Sequence, residues 1–561
     1  MTPTERPSLR KDANRGRPFR RVLIANRGEI ALRILRACRE LGIEVVAIYS
    51  DADSDGAWVE AADHAVRVGP APASESYLRG DAIVEAALAT RADAIHPGYG
   101  FLSERADFAR KVVASGIAFV GPPPDAIAAL GDKLAARRAA ADAGVPVVPG
   151  SLEEVDTSRP DQIQTITGAA ERIGFPLLVK AAAGGGGRGM RRVERSVDLP
   201  AALAAGAAEA ASAFGDGRVY LEREIRQARH IEVQLLGDVD GEIAAIGERD
   251  CSIQRRHQKL IEEAPAPGLT DDQRRTLHEF GIRAARAAGL ENAATAEFLW
   301  DADMQPWFLE VNARLQVEHG VTELVTGLDI VREQLFLAAG RPLSDAVIQV
   351  AARAARPDAH AIEVRLSAED PGRDFAPAPG RVRRWSMPEG PGVRVDTAMR
   401  PKSRVPPDYD PLIAKILVVD RDRDAAIDRM RRALDEVDVS GVQTTLPFHR
   451  SVMAAPEFRR GEVSIAWVAD RWDGALERGK VIPEAAKAAA VAAQQNDQSD
   501  RQGGRTWTAD PAGEPSLHKD SGRRIGATPS TTSTDRLATP SLAVSPWRRS
   551  GRQDSLDRWP R

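Results

Sequence analysis

The sequence is short of several features that would place it in a specialised class of protein. It has two cysteines in 561 residues, Cys38 and Cys251, too few for a disulfide framework or a cysteine metal cluster. No apolar run approaches the roughly 20 residues that a membrane-spanning helix needs, and the N-terminus has no apolar signal core. The net charge of -4 gives no overall attraction to nucleic acid or to an anionic membrane. These absences predict a cytoplasmic protein that binds neither nucleic acid nor membrane.

The two ends of the chain differ in composition from its middle. Residues 1–18 are basic but also contain acidic residues and prolines, which favours a disordered N-terminal tail over a mitochondrial transit peptide. Residues 480–546 are poor in apolar side chains, so burial cannot offset the entropy of ordering, and a disordered linker is predicted. Residues 547–561 regain Trp547, Leu556 and Trp559 among arginines, which predicts a short C-terminal interaction segment.

The stretch that follows residue 18 alternates between strand and helix patterns. Segments 22–25, 45–49 and 92–96 have the short apolar runs of buried strands. Between the first two, apolar residues recur along one face of a helix from Ala31 to Leu41, and Gly42 follows as a C-terminal cap. Strand, helix and strand at this spacing predict a βαβ unit in a parallel sheet.

Two α+β regions are predicted farther along the chain. A strand at 177–180 precedes a glycine run, and the segments 219–222, 231–236 and 242–247 are predicted to form one antiparallel sheet. Segments 296–301 and 307–312 are separated by a short polar turn, which predicts a hairpin. The last region has predicted strands and one helix, in the order 362–366, 381–385, 413–419 and 423–434.

The glycine run follows Lys180 and occupies 184–189, interrupted by one arginine. Glycines expose backbone N–H groups and allow a loop to close over phosphate oxygens, while Lys180 adds a positive charge. The spacing differs from the G-x-x-x-x-G-K-[ST] phosphate loop, so that class is disfavoured. A flexible hinge without a ligand is the alternative interpretation of the run.

Two glutamates are predicted to face each other across the 296–312 hairpin. Glu297 and Glu310 are symmetric about the turn, and Asn312 lies on the same face as Glu310 because side chains alternate along a strand. Opposed carboxylates are destabilising without a cation between them. Two carboxylates and an amide oxygen suit Mg²⁺, which usually shares its coordination with substrate phosphates. The alternative is a pair of solvated surface glutamates.

Two further charged segments carry candidate chemistry. Arg314, Gln316 and Glu318 alternate, so an extended segment would place an anion-binding guanidinium, a neutral donor and a potential proton acceptor on one face. The alternative is an ordinary charged edge strand. Segment 248–259 contains six ionisable side chains and a histidine, and its spacing does not distinguish a solvated surface turn from an anion-handling loop.

These motifs together resemble one known family. Segment 19–472 is similar to the biotin carboxylase component of biotin-dependent carboxylases, which are ATP-grasp enzymes, and it has their motifs in their order: IANRGEI at 24–30, HPGYGFLSE at 96–104, GDK at 131–133, KAAAGGGGRGM at 180–190, the 248–259 segment and EVNARLQVEH at 310–319. The resemblance implies a fold that combines α/β and α+β parts. Its domains would be a Rossmann-like N-terminal domain at 19–132, an ATP-grasp domain at 133–350 with a glycine-rich lid at about 152–224, and a biotin carboxylase C-terminal domain at 355–475.

The resemblance also implies roles for individual residues. Residues that match the family's ATP contacts are Lys133, Lys180, Gly186, Gly187, Glu222, Ile225, His230, Gln254 and His257. Ligands of Mg²⁺ or Mn²⁺ would be Glu297, Glu310 and Asn312. The bicarbonate pocket would comprise Lys259, Arg314, Gln316 and Val317, with Glu318 as the general base. Biotin would meet Tyr99 and Arg365, the latter stabilising its enolate.

The implied activity is carboxylation of biotin from ATP and bicarbonate, as the first half-reaction of an acetyl- or acyl-CoA carboxylase complex. No Ala-Met-Lys-Met biotinylation motif occurs, so a separate biotin carboxyl carrier protein and carboxyltransferase subunits are expected, together with a homodimer of this chain. Another ATP-grasp ligase, such as a carboxylate–amine ligase of purine synthesis, and a catalytically silent scaffold are the rival interpretations. Ala313 and Gly320 depart from the family's usual Thr and Pro, and Gly320 predicts a looser segment after the base.

Overall fold

In the computed structural model of the chain, the described residues are 16–151, 155, 159–182 and 190–477. The chain divides into two units, Met1–Gly474 and Ala475–Arg561, and of the second the structure describes residues 475–477. The run of glycines after Lys180, the predicted linker and the predicted C-terminal interaction segment lie outside the described residues, as does most of the predicted N-terminal tail.

The N-terminal part of the first unit is a five-stranded parallel sheet in the order β3-β2-β1-β4-β5. This confirms the predicted βαβ unit, in which α1 packs the apolar side chains of Ile30, Ile34 and Cys38 into a buried cluster. The strands are β1 (Arg21–Ile24), β2 (Glu44–Ser50), β3 (His64–Gly69), β4 (Ala94–His96) and β5 (Ala118–Phe119). The helices are α1 (Gly28–Glu40), α2 (Ala57–Ala61), α3 (Gly80–Ala89), α4 (Ala106–Ala114) and α5 (Pro124–Gly131).

A small antiparallel sheet follows, in the order β7-β6-β8. The prediction that segment 219–222 shares a sheet with the two segments after it is wrong, because β8 pairs with β6 instead. Its apolar face packs against α7 and α8 to form a separate core cluster, so this region buries its own surface. The elements are α6 (Lys133–Asp142), α7 (Pro160–Ile173), β6 (Leu177–Ala181), β7 (Arg191–Val193), α8 (Leu199–Phe214) and β8 (Val219–Arg223).

The largest sheet among the described residues has eight antiparallel strands in the order β13-β12-β9-β10-β11-β14-β21-β19. It joins strands from both predicted α+β regions, because β11 pairs with β14. Its first five strands in the chain are β9 (Arg229–Gly237), β10 (Ile243–Arg255), β11 (Gln258–Ala264), β12 (Asn292–Trp300) and β13 (Pro306–Asn312). The helices of this region are α9 (Asp271–Ala287), α10 (His319–Thr326), α11 (Ile330–Ala338) and α12 (Asp345–Arg353).

The C-terminal part of the first unit completes the large sheet and adds short two-stranded ribbons. The prediction of a single strand at 381–385 is wrong, because the two ends of this segment belong to different two-stranded ribbons. The strands are β14 (His360–Ser367), β15 (Glu369–Asp370), β16 (Ala376–Pro377), β17 (Gly380–Arg381), β18 (Arg384–Ser386), β19 (Val393–Asp396), β20 (Arg404–Val405), β21 (Leu412–Asp420) and β22 (Asp438–Ser440). The helices are α13 (Arg423–Glu436), α14 (Leu446–Ala454), α15 (Pro456–Arg460) and α16 (Trp467–Arg471).

Gly320 lies in the first turn of α10, where the helix approaches β21 closely. A Cβ atom at this position would come within 2.5 Å of Leu417 Cδ2. The prediction of a looser segment is therefore wrong, because the absence of a side chain allows close packing here. Among the helices of the described residues, none combines the length and the apolar character needed to cross a membrane.

Candidate active site

Glu318 lies at the centre of a buried network of charges on one face of the large sheet. The ammonium group of Lys259, on β11, donates hydrogen bonds to Glu318 at 2.7 Å, to Glu297 at 2.8 Å and to Glu232. Arg365, on β14, donates to the other oxygen of Glu318 at 2.9 Å. The side chain of Glu318 has no exposed surface. The carboxylate is therefore held from both sides by cations that belong to different strands.

The surrounding charges decide the protonation state of the carboxylate. Burial opposes ionisation of Glu318, but Lys259, Arg365 and Arg249 outweigh it and hold its pKa well below the usual value. Burial also opposes the charge of Lys259, yet Glu232, Glu297 and Glu318 raise the pKa of this lysine well above its usual range. Glu318 is therefore a carboxylate and Lys259 an ammonium at neutral pH, which is the state that a general base and an anion ligand require.

The predicted hairpin of the two glutamates is confirmed. Glu297 on β12 is the direct partner of Glu310 on β13, and Thr295 is the partner of Asn312. The register shifts between Glu297 and Phe298. The pairs from Thr295 to Glu297 are therefore symmetric about the predicted turn, whereas the pairs closer to the turn are not. Such a bulge changes the direction in which nearby side chains point.

The candidate metal ligands contact cationic or polar side chains. Glu310 pairs with Lys133 at 2.9 Å, and Glu297 lies 3.1 Å from the imidazole of His230. The amide nitrogen of Asn312 is buried without a hydrogen-bond partner among the described residues. Two carboxylates and an amide oxygen on adjoining strands are a donor set that fits Mg²⁺ or Mn²⁺, both of which prefer oxygen ligands.

The side chain of Arg314 connects this hairpin to the N-terminal sheet region. Its guanidinium group donates to Glu104 at 2.9 Å and to the side-chain amide oxygens of Asn312 (Oδ1, 3.0 Å) and Gln316 (Oε1, 2.6 Å). The amide group of Gln316 in turn donates to Glu297 at 3.2 Å. Arg314 and Gln316 therefore lie beside the candidate metal ligands.

The segment that contains Glu318 is not extended to its end. Val317 and Glu318 form a turn, and Glu318 has φ −82° and ψ 10° immediately before α10. The prediction of one extended segment is wrong here, because a helix begins directly after the glutamate. The carbonyl group of Val317 accepts a hydrogen bond from Lys415 at 2.8 Å.

Several residues that match nucleotide contacts surround a second buried carboxylate, Glu222. Lys180, at the end of β6, and Arg137, on α6, both donate to it. Burial opposes its ionisation, but Lys180, Arg137 and Lys133 lower the pKa of Glu222. Lys133, at the start of α6, and Lys180 are thus placed near each other although 47 positions separate them in the sequence. Ammonium groups in this arrangement suit the phosphates of a nucleotide.

The remaining nucleotide candidates come from the β10–β11 hairpin and the segments beside it. Gln254 is the cross-strand partner of Lys259, and His257 lies in the turn with φ 64°. Burial, together with the nearby Lys180, His230 and Lys133, lowers the pKa of His257 and favours its neutral form. Ile225 is half-buried just after β8. The candidate glycines Gly186 and Gly187 lie outside the described residues.

The two candidate biotin residues each donate hydrogen bonds to buried glutamates. Arg365 donates to Glu262 as well as to Glu318, and these two contacts fix its guanidinium group. The hydroxyl group of Tyr99 donates to Glu29, on α1. Burial and the charge of Glu29 raise the pKa of Tyr99 well above its usual value, so the phenol stays protonated.

The charge run at 248–259 is mostly buried, which excludes the interpretation as a solvated surface turn. Glu248 accepts hydrogen bonds from Arg274 and His278 of α9 at 2.7 and 2.8 Å. Arg249 has no exposed side-chain surface and pairs with Glu232. Arg256, at the hairpin tip, is exposed, with 72% of its side chain accessible. Of these charges, Arg249 and Lys259 belong to the network around Glu318.

Sequence reasoning missed Glu232 and Glu262, and it included Arg249 only as one charge of the 248–259 segment. A signal existed for Glu232, because His230, Glu232 and Gln234 alternate along one strand and so share a face. The register places Glu232 directly beside both Glu297 and Arg249 on neighbouring strands. Glu262 gave no such signal, because its importance comes from its contact with Arg365, which is 103 positions away.

The sequence matches family models along nearly the whole of the first unit. Residues 18–127 match the biotin carboxylase N-terminal domain, and residues 363–470 match the biotin carboxylase C-terminal domain. Between them, residues 132–346 match the ATP-binding domain of the carbamoyl-phosphate synthase L chain.

This part of the chain also aligns with similar proteins over almost their whole length. Biotin carboxylase from Nostoc sp. is 48% identical over 450 residues, which are 80% of this chain and 98% of that protein. Biotin carboxylase from Pseudomonas aeruginosa is 47% identical over 448 residues, which are 80% of this chain and 97% of that protein.

Solved structures agree with the sequence relatives. The biotin carboxylase–βγ-ATP complex from Campylobacter jejuni superposes with a TM-score of 0.77 at 43% identity, covering 81% of this chain and 99% of that one. The biotin carboxylase domain dimer of Hydrogenobacter thermophilus 2-oxoglutarate carboxylase, with MgADP, ADP and bicarbonate, gives a TM-score of 0.75 at 42% identity, covering 81% and 97%. With its fold, its buried carboxylate network and these relatives taken together, the chain belongs to the biotin carboxylase family.

Proposed function

We propose that this chain transfers a carboxyl group from bicarbonate to biotin at the expense of ATP, with Glu318 as the general base. Membership of the biotin carboxylase family makes the chain an ATP-dependent ligase. The observation that carries the residue assignment is the position of Glu318, an ionised and fully buried carboxylate between Lys259 and Arg365. The activation of a small acid anion needs a proton acceptor that is in contact with anion-binding cations.

The first step would occur between bicarbonate and the terminal phosphate of ATP. Glu318 accepts the proton of bicarbonate, whose oxygen attacks the γ-phosphorus, so that carboxyphosphate forms and ADP leaves. Bicarbonate bound by Lys259 and Arg314 would itself neutralise part of their positive charge. Because the charge of Lys259 is one of those that hold the pKa of Glu318 low, the proton affinity of this carboxylate would rise when the substrate arrives.

Phosphoryl transfer depends mainly on positioning and on the stabilisation of charge. Lys133 and Lys180 would bind the phosphates, and Glu297, Glu310 and Asn312 would hold the divalent cation. Mg²⁺ or Mn²⁺ supplies neutralisation of phosphate charge when it is bound. His257 in its neutral form and Gln254 would contact the nucleotide from the β10–β11 hairpin, together with Glu222, Ile225 and His230 and the lid glycines Gly186 and Gly187.

The second step would occur on biotin. Carboxyphosphate breaks down to CO₂ and phosphate, and the phosphate takes the ureido proton of biotin. Arg365 stabilises the enolate that remains, and the ureido nitrogen forms its new bond to the carbon of CO₂. The hydrogen bonds from Arg365 to Glu262 and Glu318 keep its guanidinium group in place for this role. Tyr99, which lies on the N-terminal side of the network, would contact the biotin ring.

The partners and the assembly are also proposals. We expect biotin to be presented by a separate carrier protein and consumed by carboxyltransferase subunits, as part of an acetyl- or acyl-CoA carboxylase. The related domain from H. thermophilus was described as a dimer, which supports a homodimer of this chain. Cys38 and Cys251 are buried free thiols, which supports a reducing, cytoplasmic location. The C-terminal interaction segment stays a prediction.

The domain division remains a proposal as well. We place the Rossmann-like domain at 19–132, the ATP-grasp domain with its lid at 133–350 and the C-terminal domain at 355–475. The parallel sheet and the small β6–β8 sheet support the first two. The pairing of β11 with β14 shows that the last two share one continuous sheet, so their boundary is one of chain order rather than of separate cores.

The decisive experiment measures phosphate release from Mg·ATP with and without bicarbonate, and carboxybiotin formation from free biotin. We expect phosphate release to depend on bicarbonate and carboxybiotin to form. An ATP-grasp ligase of another specificity would form no carboxybiotin, and a silent scaffold would release no phosphate under either condition.

The variant Arg365→Ser separates the two steps. We expect bicarbonate-dependent ATP cleavage to persist in part while carboxybiotin formation falls by about 10²-fold or more, because the arginine stabilises the enolate. Arg365→Lys keeps the charge and is the matched control, with an intermediate loss expected. A parallel fall of both rates, with their ratio unchanged, would contradict the role assigned to Arg365.

A further inference from the structure

Strand β21 carries a lysine that the chemistry described above does not use. Lys415 has no exposed surface and lies on the face of the sheet that holds the charged network. Its direct cross-strand partners are Arg365 on β14 and Asp396 on β19. Since cross-strand partners share a face, Lys415 lies next to Arg365 on the side away from Glu262.

The ammonium group of Lys415 has three partners in the interior. It donates to the carbonyl oxygen of Val317 at 2.8 Å, and it lies 3.2 Å from Glu29 and 3.7 Å from Asp396. Burial opposes its charge, but Glu29, Glu363 and Asp396 raise the pKa of Lys415 above its usual value. A buried ammonium is tolerated only where it is paired and hydrogen-bonded, so this lysine has a fixed position.

The acceptor of this hydrogen bond belongs to the peptide group that precedes the general base. A peptide group is planar, so the direction of the Val317 carbonyl also fixes the Glu318 N–H and the Cα atom of Glu318. The neighbouring turn and helix bonds use other groups: His319 N–H donates to Gln316 at 3.4 Å, and Val321 N–H donates to Glu318 at 3.3 Å. Neither bond involves the Val317 carbonyl, and the segment lies outside any strand.

The same lysine contacts the N-terminal sheet region. Glu29, at the start of α1, accepts hydrogen-bonding contacts both from Lys415 and from the hydroxyl group of Tyr99. Lys415 therefore contacts both the carbonyl group of Val317 and the carboxylate of Glu29, which also accepts the hydrogen bond of Tyr99. Because the interior is close-packed, a displacement of the Val317 carbonyl or of Glu29 would also displace the ammonium group.

We propose that Lys415 is a positioning residue for bicarbonate activation, which holds the Val317–Glu318 peptide so that the base and the anion pocket face the substrate. The inference rests on the proposed function, because it takes Val317 as a bicarbonate contact and Glu318 as the base. Lys415 itself acts through the backbone and does not touch substrate. Its loss should therefore impair the use of bicarbonate and leave the binding of nucleotide unchanged.

The test is the variant Lys415→Met, which keeps the length of the side chain and removes the hydrogen-bond donor. We expect the KM for bicarbonate to rise by about tenfold or more and kcat to fall by a factor of about 10 to 100, because small displacements of a catalytic group are costly. The KM for ATP, measured in the same assay, should change by less than about twofold. Lys415→Arg restores a cationic donor and should recover part of the loss. Lys111→Met, on the surface of α4, is the matched control without effect.

Two outcomes would overturn the proposal. One is an unchanged KM for bicarbonate in folded Lys415→Met, and the other is an equal change in the KM values for bicarbonate and ATP. If thermal unfolding shows that Lys415→Met does not fold, Glu29→Gln decides in the same way, because it removes an anionic partner of Lys415. There the KM for bicarbonate should rise severalfold while that for ATP stays constant. Failure of the proposed function is distinguishable, since the wild-type protein would then lack bicarbonate-dependent ATP cleavage altogether.

Discussion

Two buried glutamates beside Arg365 have opposite acid–base behaviour. Burial opposes ionisation of Glu318, yet Lys259, Arg365 and Arg249 hold its pKa well below the usual value. Burial and the charge of Glu318 raise the pKa of Glu262 to about 7, although Arg365 opposes this shift. Environment therefore assigns the roles: Glu318 is ionised and can accept a proton, while Glu262 carries a proton for part of the time near neutral pH.

The first prediction at this scale concerns the general base. Glu318→Gln should reduce bicarbonate-dependent ATP cleavage by about 10²-fold or more, because the amide keeps the shape but cannot accept a proton. Nucleotide binding, measured by titration with ADP, should stay near its wild-type value. Glu262→Gln is the comparison, and because this residue is partly protonated already, we expect a loss of less than about tenfold. Near-normal turnover of Glu318→Gln would rule out its role as the base.

At the scale of elements, the β12–β13 hairpin brings two carboxylates into direct opposition. Such a pair is unfavourable by itself, and the structure relieves it with Lys133 beside Glu310 and with Lys259 and His230 beside Glu297. The hairpin therefore has a built-in requirement for positive charge. A divalent cation that binds between the strands would meet the same requirement.

The prediction for this element is a change in metal dependence. Glu297→Ala and Glu310→Ala should each raise the Mg²⁺ concentration needed for half-maximal activity by about tenfold or more, since each removes an anionic oxygen ligand. Asp303→Ala removes an exposed carboxylate from the turn of the same hairpin and should leave the metal titration unchanged. Unchanged titrations in both glutamate variants would show that the metal binds elsewhere.

At the scale of the whole molecule, the eight-stranded sheet joins parts of the chain that are distant in sequence. Glu263 on β11 is one such link, because it accepts hydrogen bonds from His360 of β14 at 2.8 Å and from Arg423 of α13 at 2.6 and 3.0 Å. Burial opposes its ionisation, but Arg423 and His360 lower the pKa of Glu263 from 4.5 to about 2. This buried carboxylate therefore stabilises the contact between the two halves of the sheet.

The prediction at this scale is a dependence of stability on pH. A carboxyl group whose pKa is lowered on folding stabilises the native state above its unfolded pKa and loses that effect as the pH falls through the folded value. Glu263→Gln should therefore lower the free energy of unfolding by roughly 3 kcal/mol at pH 7, and it should lack part of the wild-type loss of stability between about pH 4.5 and 2. Urea unfolding at a series of pH values measures both effects. Glu279→Gln, on the exposed face of α9, should match the wild type, and equal stability of the two variants would contradict the assignment.

The sequence by itself determined the elements that depend on local pattern. The βαβ unit, the hairpin of Glu297 and Glu310, and the strand before the glycine run follow from periodicity and turn residues, which act over a few positions. The motifs also identified the candidate residues, because their chemical types and spacing are visible in the chain. Register came with the hairpin, since a short turn leaves few ways to pair two strands.

Only the tertiary structure decided which distant residues meet. The pairing of β8 with β6, the burial of the 248–259 charges and the contacts of Glu262 and Lys415 depend on strand order between segments many positions apart. Local sequence preferences do not depend on such distant contacts. The local sequence around a charged residue also does not show whether its side chain is solvated or paired in the interior. The protonation states followed in turn, because a pKa shift is set by burial and by the charges that folding brings near.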